Sequence, residues 1–409
     1  MTKFGKLKII IVAILSIICM IIFYLNYRDK QITKKLEYER IIEEKIADIT
    51  SHYNRYVKTT LETDLYILKN LEYVKVGRVG ESVELTLKNI DITNDTEYFI
   101  IDNFDEEYFI KYNSVIPIQA LSKLDDRYKN YILFNENVVT KDITKFYKDD
   151  NLVYEFNSAF NLPIIMKDEH KIYVEYQNQL LYVLDSEVDS IIASNNTDRE
   201  SAKEIATIVY HFIYNPEVEE CNQIICHSIE QVQSHIDYLK DENYFTPTMQ
   251  EFEMFIDGKL LLPKNSVVIT IDDGWFGDNA RDIFTNNQMN ATIFLITSAY
   301  GADYYRTEYL ETHSHSNDLH TQGVCPTGQG GAIQCGSREF LLEDLRLSRE
   351  KTYNSTVFCY PFYEYNDYSI NILKEAGFTM AFGGSYAGGH LKMPIGGDKY
   401  QIPRFTLSN

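Results

Sequence analysis

Val267-Val268-Ile269-Thr270-Ile271-Asp272-Asp273-Gly274-Trp275 is the stretch that decides how this chain is read. Five β-prone residues bounded by a turn signal predict a buried strand. Two carboxylates at its end are costly to bury unless a cation, a base or a hydrogen bond accounts for them. Side chains alternate along a strand, so neighbours reach one site only where the strand ends and the backbone bends. Gly274 stands where that bend is needed. Taken alone, Asp-Gly is also an ordinary surface turn.

Outward from this stretch the pattern alternates strand and helix. Residues Ile205 to Tyr210 read as a strand ending at His211, and Ser228 to Lys240 as a helix. Thr246-Pro247 reads as the start of another helix, with threonine as cap and proline in the first turn. A helix near Ala280 to Asn287 and a strand from Ala291 to Ile296 follow. Beyond them come a helix from Ser337 to Lys351, a strand from Thr356 to Tyr360, a helix from Tyr368 to Ala376 and a strand from Phe378 to Phe382. Repeated units of this kind predict an α/β domain over residues 203–409, a distorted (β/α) barrel of parallel strands. Chemistry in such barrels sits at the C-terminal strand ends, where His211 and Asp272-Asp273 fall.

Three of the nine histidines crowd into Glu311 to His320, as His313, His315 and His320. On a helix His315 and His320 would point about 140° apart, so they converge only from a loop or a strand end. Two imidazoles and one carboxylate make an open metal site with room for water and substrate. Zinc is the default ion, and other divalent transition metals suit the same donors. The competing reading is a polar surface loop.

Thr270-Ile271-Asp272-Asp273-Gly274, with Ser314-His315-Ser316 and Asp318-Leu319-His320, resembles the metal-dependent polysaccharide deacetylase family. The five-residue histidine step and the Tyr210-His211 pair look most like its poly-N-acetylglucosamine and Gram-positive envelope branches. The resemblance covers about half the chain. It implies Asp272 as general base, and Asp273, His315 and His320 as ligands of one divalent metal. It implies His211 as the acid that protonates the departing amine, with His390 as runner-up. Tyr360-Pro361-Phe362 sits where the family has its third, substrate-lining motif. The arginine that usually opens this motif is missing, and Arg404 is the candidate to orient the base in its place. The family's late tryptophan motif is absent, since Trp275 is the only tryptophan.

The rest of the chain bounds the setting. A net charge of -21 argues against a nucleic-acid partner. Cys221 with Cys226, and Cys325 with Cys335, lie in loops and read as disulfides, against free thiols or a zinc site. Disulfides imply an oxidising, extracytoplasmic setting. The second pair lies in a loop from Gly323 to Gly336 that reads as an insertion beside the site. Lys3, Lys6 and Lys8 precede an uncharged apolar run from Ile9 to Leu25, which predicts a transmembrane signal anchor over residues 1–28. A helical stalk is expected over 29–64, a small β-rich module over 65–185 and a linker over 186–202. The expectation is a membrane-anchored hydrolase that removes N-acetyl groups from N-acetylglucosamine units of peptidoglycan or poly-N-acetylglucosamine. The alternatives are a non-catalytic, metal-containing envelope protein that binds polysaccharide, and an amidohydrolase acting on small molecules.

Overall fold

The computed structural model describes the backbone except at residues 1–2, 54, 94–95, 102–106, 124–125, 197–198 and 408–409. Side chains of residues 1–13 and 93 also lie outside the description. The chain divides into two compact units. The first comprises Met1–Leu124, Thr140–Phe160 and Tyr176–Glu187, and the second Asp125–Val139, Asn161–Glu175 and Val188–Asn409.

In the first unit the long helix α1 (Lys3–His52) leads into antiparallel strands. Its tyrosines serve as packing: Tyr73 stacks on Tyr98 at 3.9 Å and Phe146 on Tyr176 at 4.7 Å. The membrane anchor is not supported. No helix among the described residues is long and apolar enough to cross a membrane. Helix α1 is long, but over its described residues it is not apolar enough for a span. The flanking lysines Lys3, Lys6 and Lys8 and the start of the run fall among side chains outside the description.

The second unit is α/β. Its strands β1 (Glu204–Tyr210), β2 (Val267–Ile271), β3 (Ala291–Leu295), β4 (Leu310–Ser314), β5 (Val357–Cys359) and β6 (Met380–Phe382) are neighbours in sequence order and all parallel. The barrel is only partly closed. Residues 402–406 run between β6 and β1, bridging Phe382 through Ile402 and pairing Phe405–Thr406, as β7, with β1. Apolar faces of α2 (Ile229–Asp241) and α4 (Gly277–Asn287) cover β2 and β3, through Val232, Ile236, Ala280 and Phe284. Helix α5 (Arg338–Lys351) and helix α6 (Asp367–Glu375) cover β5 through Leu341, Leu345 and Leu373.

Two local readings differ. The helix expected from Thr246-Pro247 is α3 (Met249–Ile256), capped by Thr248. Thr248 accepts from the Glu251 N–H while the Glu251 side chain reaches back to the Thr248 N–H, a reciprocal pair that outcompetes the earlier threonine. The stretch read as a linker holds a strand, Val188–Ala193, in a three-stranded sheet with Glu136–Thr140 and Asn161–Pro163. Thr197 and Asp198 of that stretch lie outside the description. Disulfides join Cys221 to Cys226 and Cys325 to Cys335.

Candidate active site

Strand register brings the site residues to one end of the sheet. Tyr210 pairs with Ile271, so His211 and Asp272 emerge side by side. Leu295 pairs with Ser314 and Ser314 with Phe358, which carries His315 and Cys359 to the same rim. The backbone turns sharply there, with Asp273 at φ 70° and Gly274 at φ 98°. Only glycine fits the second position, since a Cβ would meet the Tyr300 ring at 2.8 Å. The turn separates the two carboxylates, leaving Asp272 buried and Asp273 half-buried.

The turn after β4 is built by polar groups. The buried Asp344 carboxylate accepts the N–H groups of Asn317 and Asp318 at 2.8 and 2.7 Å. Ser316, at φ 73°, accepts the Leu319 N–H on its hydroxyl. His315 and His320, five residues apart, thereby face the same way. Each Nε2 lies 3.3 Å from Asp273 Oδ1. That oxygen is buried and makes no hydrogen bond. His315 Nδ1 lies 2.9 Å from the Cys359 carbonyl, to which it donates, leaving Nε2 as a lone-pair donor. Three ligand atoms meeting without hydrogen-bonding one another suit a divalent cation, so the donor set fits one. The surrounding groups favour positive charge at this point. Burial lowers the His315 pKa, but Cys359, Asp273 and Asp272 outweigh it and hold it well above the imidazole range. A cation would displace that proton.

Asp272 faces a different set of groups. Arg404 is fully buried and grips it with two bonds, Nη1 to Oδ1 at 2.7 Å and Nη2 to Oδ2 at 2.9 Å. Arg404 Nη2 also reaches Cys359 Sγ at 3.0 Å, and that thiol lies 3.5 Å from Asp272 Oδ2. Burial raises the Asp272 carboxyl, but the charges of Arg404, His315 and His211 hold it well below the carboxylate range. His211 Nε2 is 3.9 Å from Asp272 Oδ2 and 3.1 Å from the Tyr363 hydroxyl. Burial keeps His211 below the usual imidazole range, against the pull of Asp272 and Asp273.

The structure thus gathers Asp272, Asp273, His211, His315, His320 and Arg404. Tyr360 is different: it is fully buried, stacks on Tyr365 at 4.8 Å and donates to the Tyr400 carbonyl. It is core and not open to a substrate, and Pro361 is buried beside it. Phe362 does border the site, its ring 4.3 Å from that of His320. His390 is exposed after a short turn and makes none of these contacts. His313 points to the other face, to Ser355. Sequence reading passed over Tyr363 and Asp344. Tyr363 and Phe362 have φ 62° and 59°, a paired left-handed turn that no glycine announces.

Residues 261–381 match the family model for polysaccharide deacetylase. A curated relative, the putative polysaccharide deacetylase YxkH of Bacillus subtilis, is 25% identical over 164 residues, 37% of this chain and 56% of that protein. The chain therefore spans about half the length of that relative. Among solved structures, a de-N-acetylase from Aggregatibacter actinomycetemcomitans is 18% identical with a TM-score of 0.42, covering 50% of this chain and 95% of that one. The deacetylase PplD of Streptococcus pyogenes, in complex with acetate, is 16% identical with a TM-score of 0.41, covering 50% and 92%. His211 and Arg404 lie outside the matched residues.

Proposed function

We propose that this chain, which carries a polysaccharide deacetylase family domain, is a metal-dependent hydrolase that removes acetyl groups from N-acetylglucosamine units of a wall or surface polysaccharide. The observation that carries the reading is the meeting of Asp273 Oδ1 with the Nε2 atoms of His315 and His320, beside an arginine-clamped Asp272. Binding alone would need the ligands but not the buried carboxylate and its guanidinium.

In this reading Asp273, His315 and His320 hold one divalent cation, zinc by the chemistry of the donors. Asp272 is the base that takes a proton from water. Held so far below neutrality it is a weak base, and it works only on a water made acidic. The cation, when bound, would supply that acidity and polarise the acetyl carbonyl. His211 protonates the departing amine. Neutral at rest, it collects the proton during the cycle, and Asp272 is 3.9 Å away. Phe362 and the exposed Trp275, which packs edge-on to Phe212 at 5.9 Å, offer apolar faces for sugar rings. The two disulfides support an extracytoplasmic setting.

The test is acetate release from chitooligosaccharides and from peptidoglycan, with and without chelator, by wild type and Asp272→Asn. Release that chelator stops, zinc restores and Asp272→Asn lowers by about 10²-fold or more supports the reading. No release from either polymer by metal-loaded protein, or full activity of Asp272→Asn, overturns it.

A further inference from the structure

His211 has one hydrogen-bond partner among the described residues. Its Nδ1 is buried and bonded to nothing, and its Nε2 meets the Tyr363 hydroxyl at 3.1 Å. An imidazole fixed at one nitrogen takes its ring orientation and tautomer from that single contact. The same Nε2 is the atom facing Asp272.

Tyr363 is itself placed with unusual constraint. Phe362 and Tyr363 are consecutive non-glycine residues in the left-handed region, at φ 59° and 62°. Such backbone is disfavoured for residues with a Cβ and persists where the surroundings over-determine it. The turn sends its two side chains to two histidines of the site, Phe362 to His320 and Tyr363 to His211. The Tyr363 ring also covers the Arg404 guanidinium, 5.0 Å from its centre, and its hydroxyl lies 3.5 Å from Thr406 Oγ1. Burial raises the phenol pKa, so the hydroxyl keeps its proton through the neutral range.

We propose that Tyr363 is a positioning residue for proton transfer: its hydroxyl aims the His211 imidazole at the departing nitrogen. The inference rests on the deacetylase reading and on His211 as the acid. It gives the left-handed Phe362-Tyr363 turn a purpose, since another backbone path would withdraw the hydroxyl. Tyr363→Phe keeps the ring over Arg404 and removes only the oxygen.

The experiment compares two substrates. An acetamide needs its nitrogen protonated to leave, whereas an aryl acetate releases a phenolate without an acid. With metal-loaded full chain, Tyr363→Phe is expected to lose about 10- to 100-fold in kcat on chitooligosaccharide, with KM nearly unchanged, the scale for losing an orienting hydrogen bond. Aryl acetate turnover should stay near wild type. 4-Aminophenylalanine at 363, which restores a polar atom at that place, should recover activity over phenylalanine. In a His211→Ala background Tyr363→Phe should cost nothing further, because groups acting as a unit are non-additive. Equal loss on both substrates, no loss on the amide, no recovery with 4-aminophenylalanine, or a full added loss in the His211→Ala background each overturns the inference. A wild type that releases no acetate brings down the deacetylase reading itself, which separates the two failures.

Discussion

At the scale of single residues, the Asp272–Arg404 pair governs the site. A buried carboxylate is tolerable only while its charge is met, and the two-bond geometry meets it. Arg404→Ala should therefore destabilise the protein by about 3–5 kcal/mol at neutral pH, read from denaturant melts. Lysine should not substitute, because a point charge cannot fork across both oxygens. The pH dependence has a definite sign. The folded-state Asp272 pKa is depressed, so its stabilisation is complete above the unfolded value of about 3.9 and is lost as pH falls through the folded one. The gap between wild type and Arg404→Ala should narrow towards acid, because the unclamped carboxyl of the variant, raised by burial, takes up its proton at a higher pH than the clamped one. A gap that widens towards acid would contradict the pairing. Asp272, Asp273, His315 and His320 could be picked out in the sequence because their types and spacing are unusual together. Tyr363 could not, because its place depends on a φ angle that neither it nor Phe362 signals.

At the scale of elements, the turn after β4 is the part that makes a five-residue histidine step work. Asp344, on α5, holds the Asn317 and Asp318 N–H groups from outside that turn. Its own carboxyl is pushed up to about 6 by burial, with the two N–H bonds pulling the other way. Asp344→Ala leaves two N–H groups without partners and should weaken zinc binding by about 10- to 100-fold in a calorimetric titration. Unchanged affinity would mean that the turn holds itself. The helix and strand elements were legible because short apolar runs bounded by turn signals, as in the fully buried β2, β3, β5 and β6, alternate with amphipathic helices across residues 203–409. What was not legible is the contact between elements: α5 reads as an amphipathic helix whether or not Asp344 caps a distant loop. The Gly323–Gly336 loop is similar. The sequence shows its two cysteines, but not that Glu364, next to Tyr363, accepts the Gln329 and Gly331 N–H groups and ties that loop down.

At the scale of the whole molecule, the boundary at residue 203 follows the start of regular β-α alternation, but the compact unit reaches further back. Residues 125–139, 161–175 and 188–202 lie in the same unit as the site. Within it the Ile132 N–H bonds the Leu261 carbonyl at 2.9 Å, and the Ala202 N–H bonds that of Leu262 at 2.8 Å. Arg127 pairs with the buried Glu251 that completes the α3 cap. No periodicity reports such long-range pairing. A fragment of residues 203–409 should melt roughly 10 °C below the same unit in the full chain, because the buried Glu251 loses its half-buried Arg127 partner. Equal midpoints by calorimetry would show that residues 203–409 are self-sufficient.

The chemistry is distributed along the chain in a way that has a consequence for timing. Its groups come from the ends of β1, β2, β4 and β5 and from beside β7, stretches separated by up to 193 positions between His211 and Arg404. Contacts of such long range are slow to form, since loop closure costs entropy before they reward it. A half-folded chain offers a cation isolated histidines and carboxylates, with no shared coordination sphere, and the arginine clamp on Asp272 is not yet made. On the proposed reading, a cation would find its three donors together only once these strand ends have met, and its binding would then stabilise the folded chain by mass action.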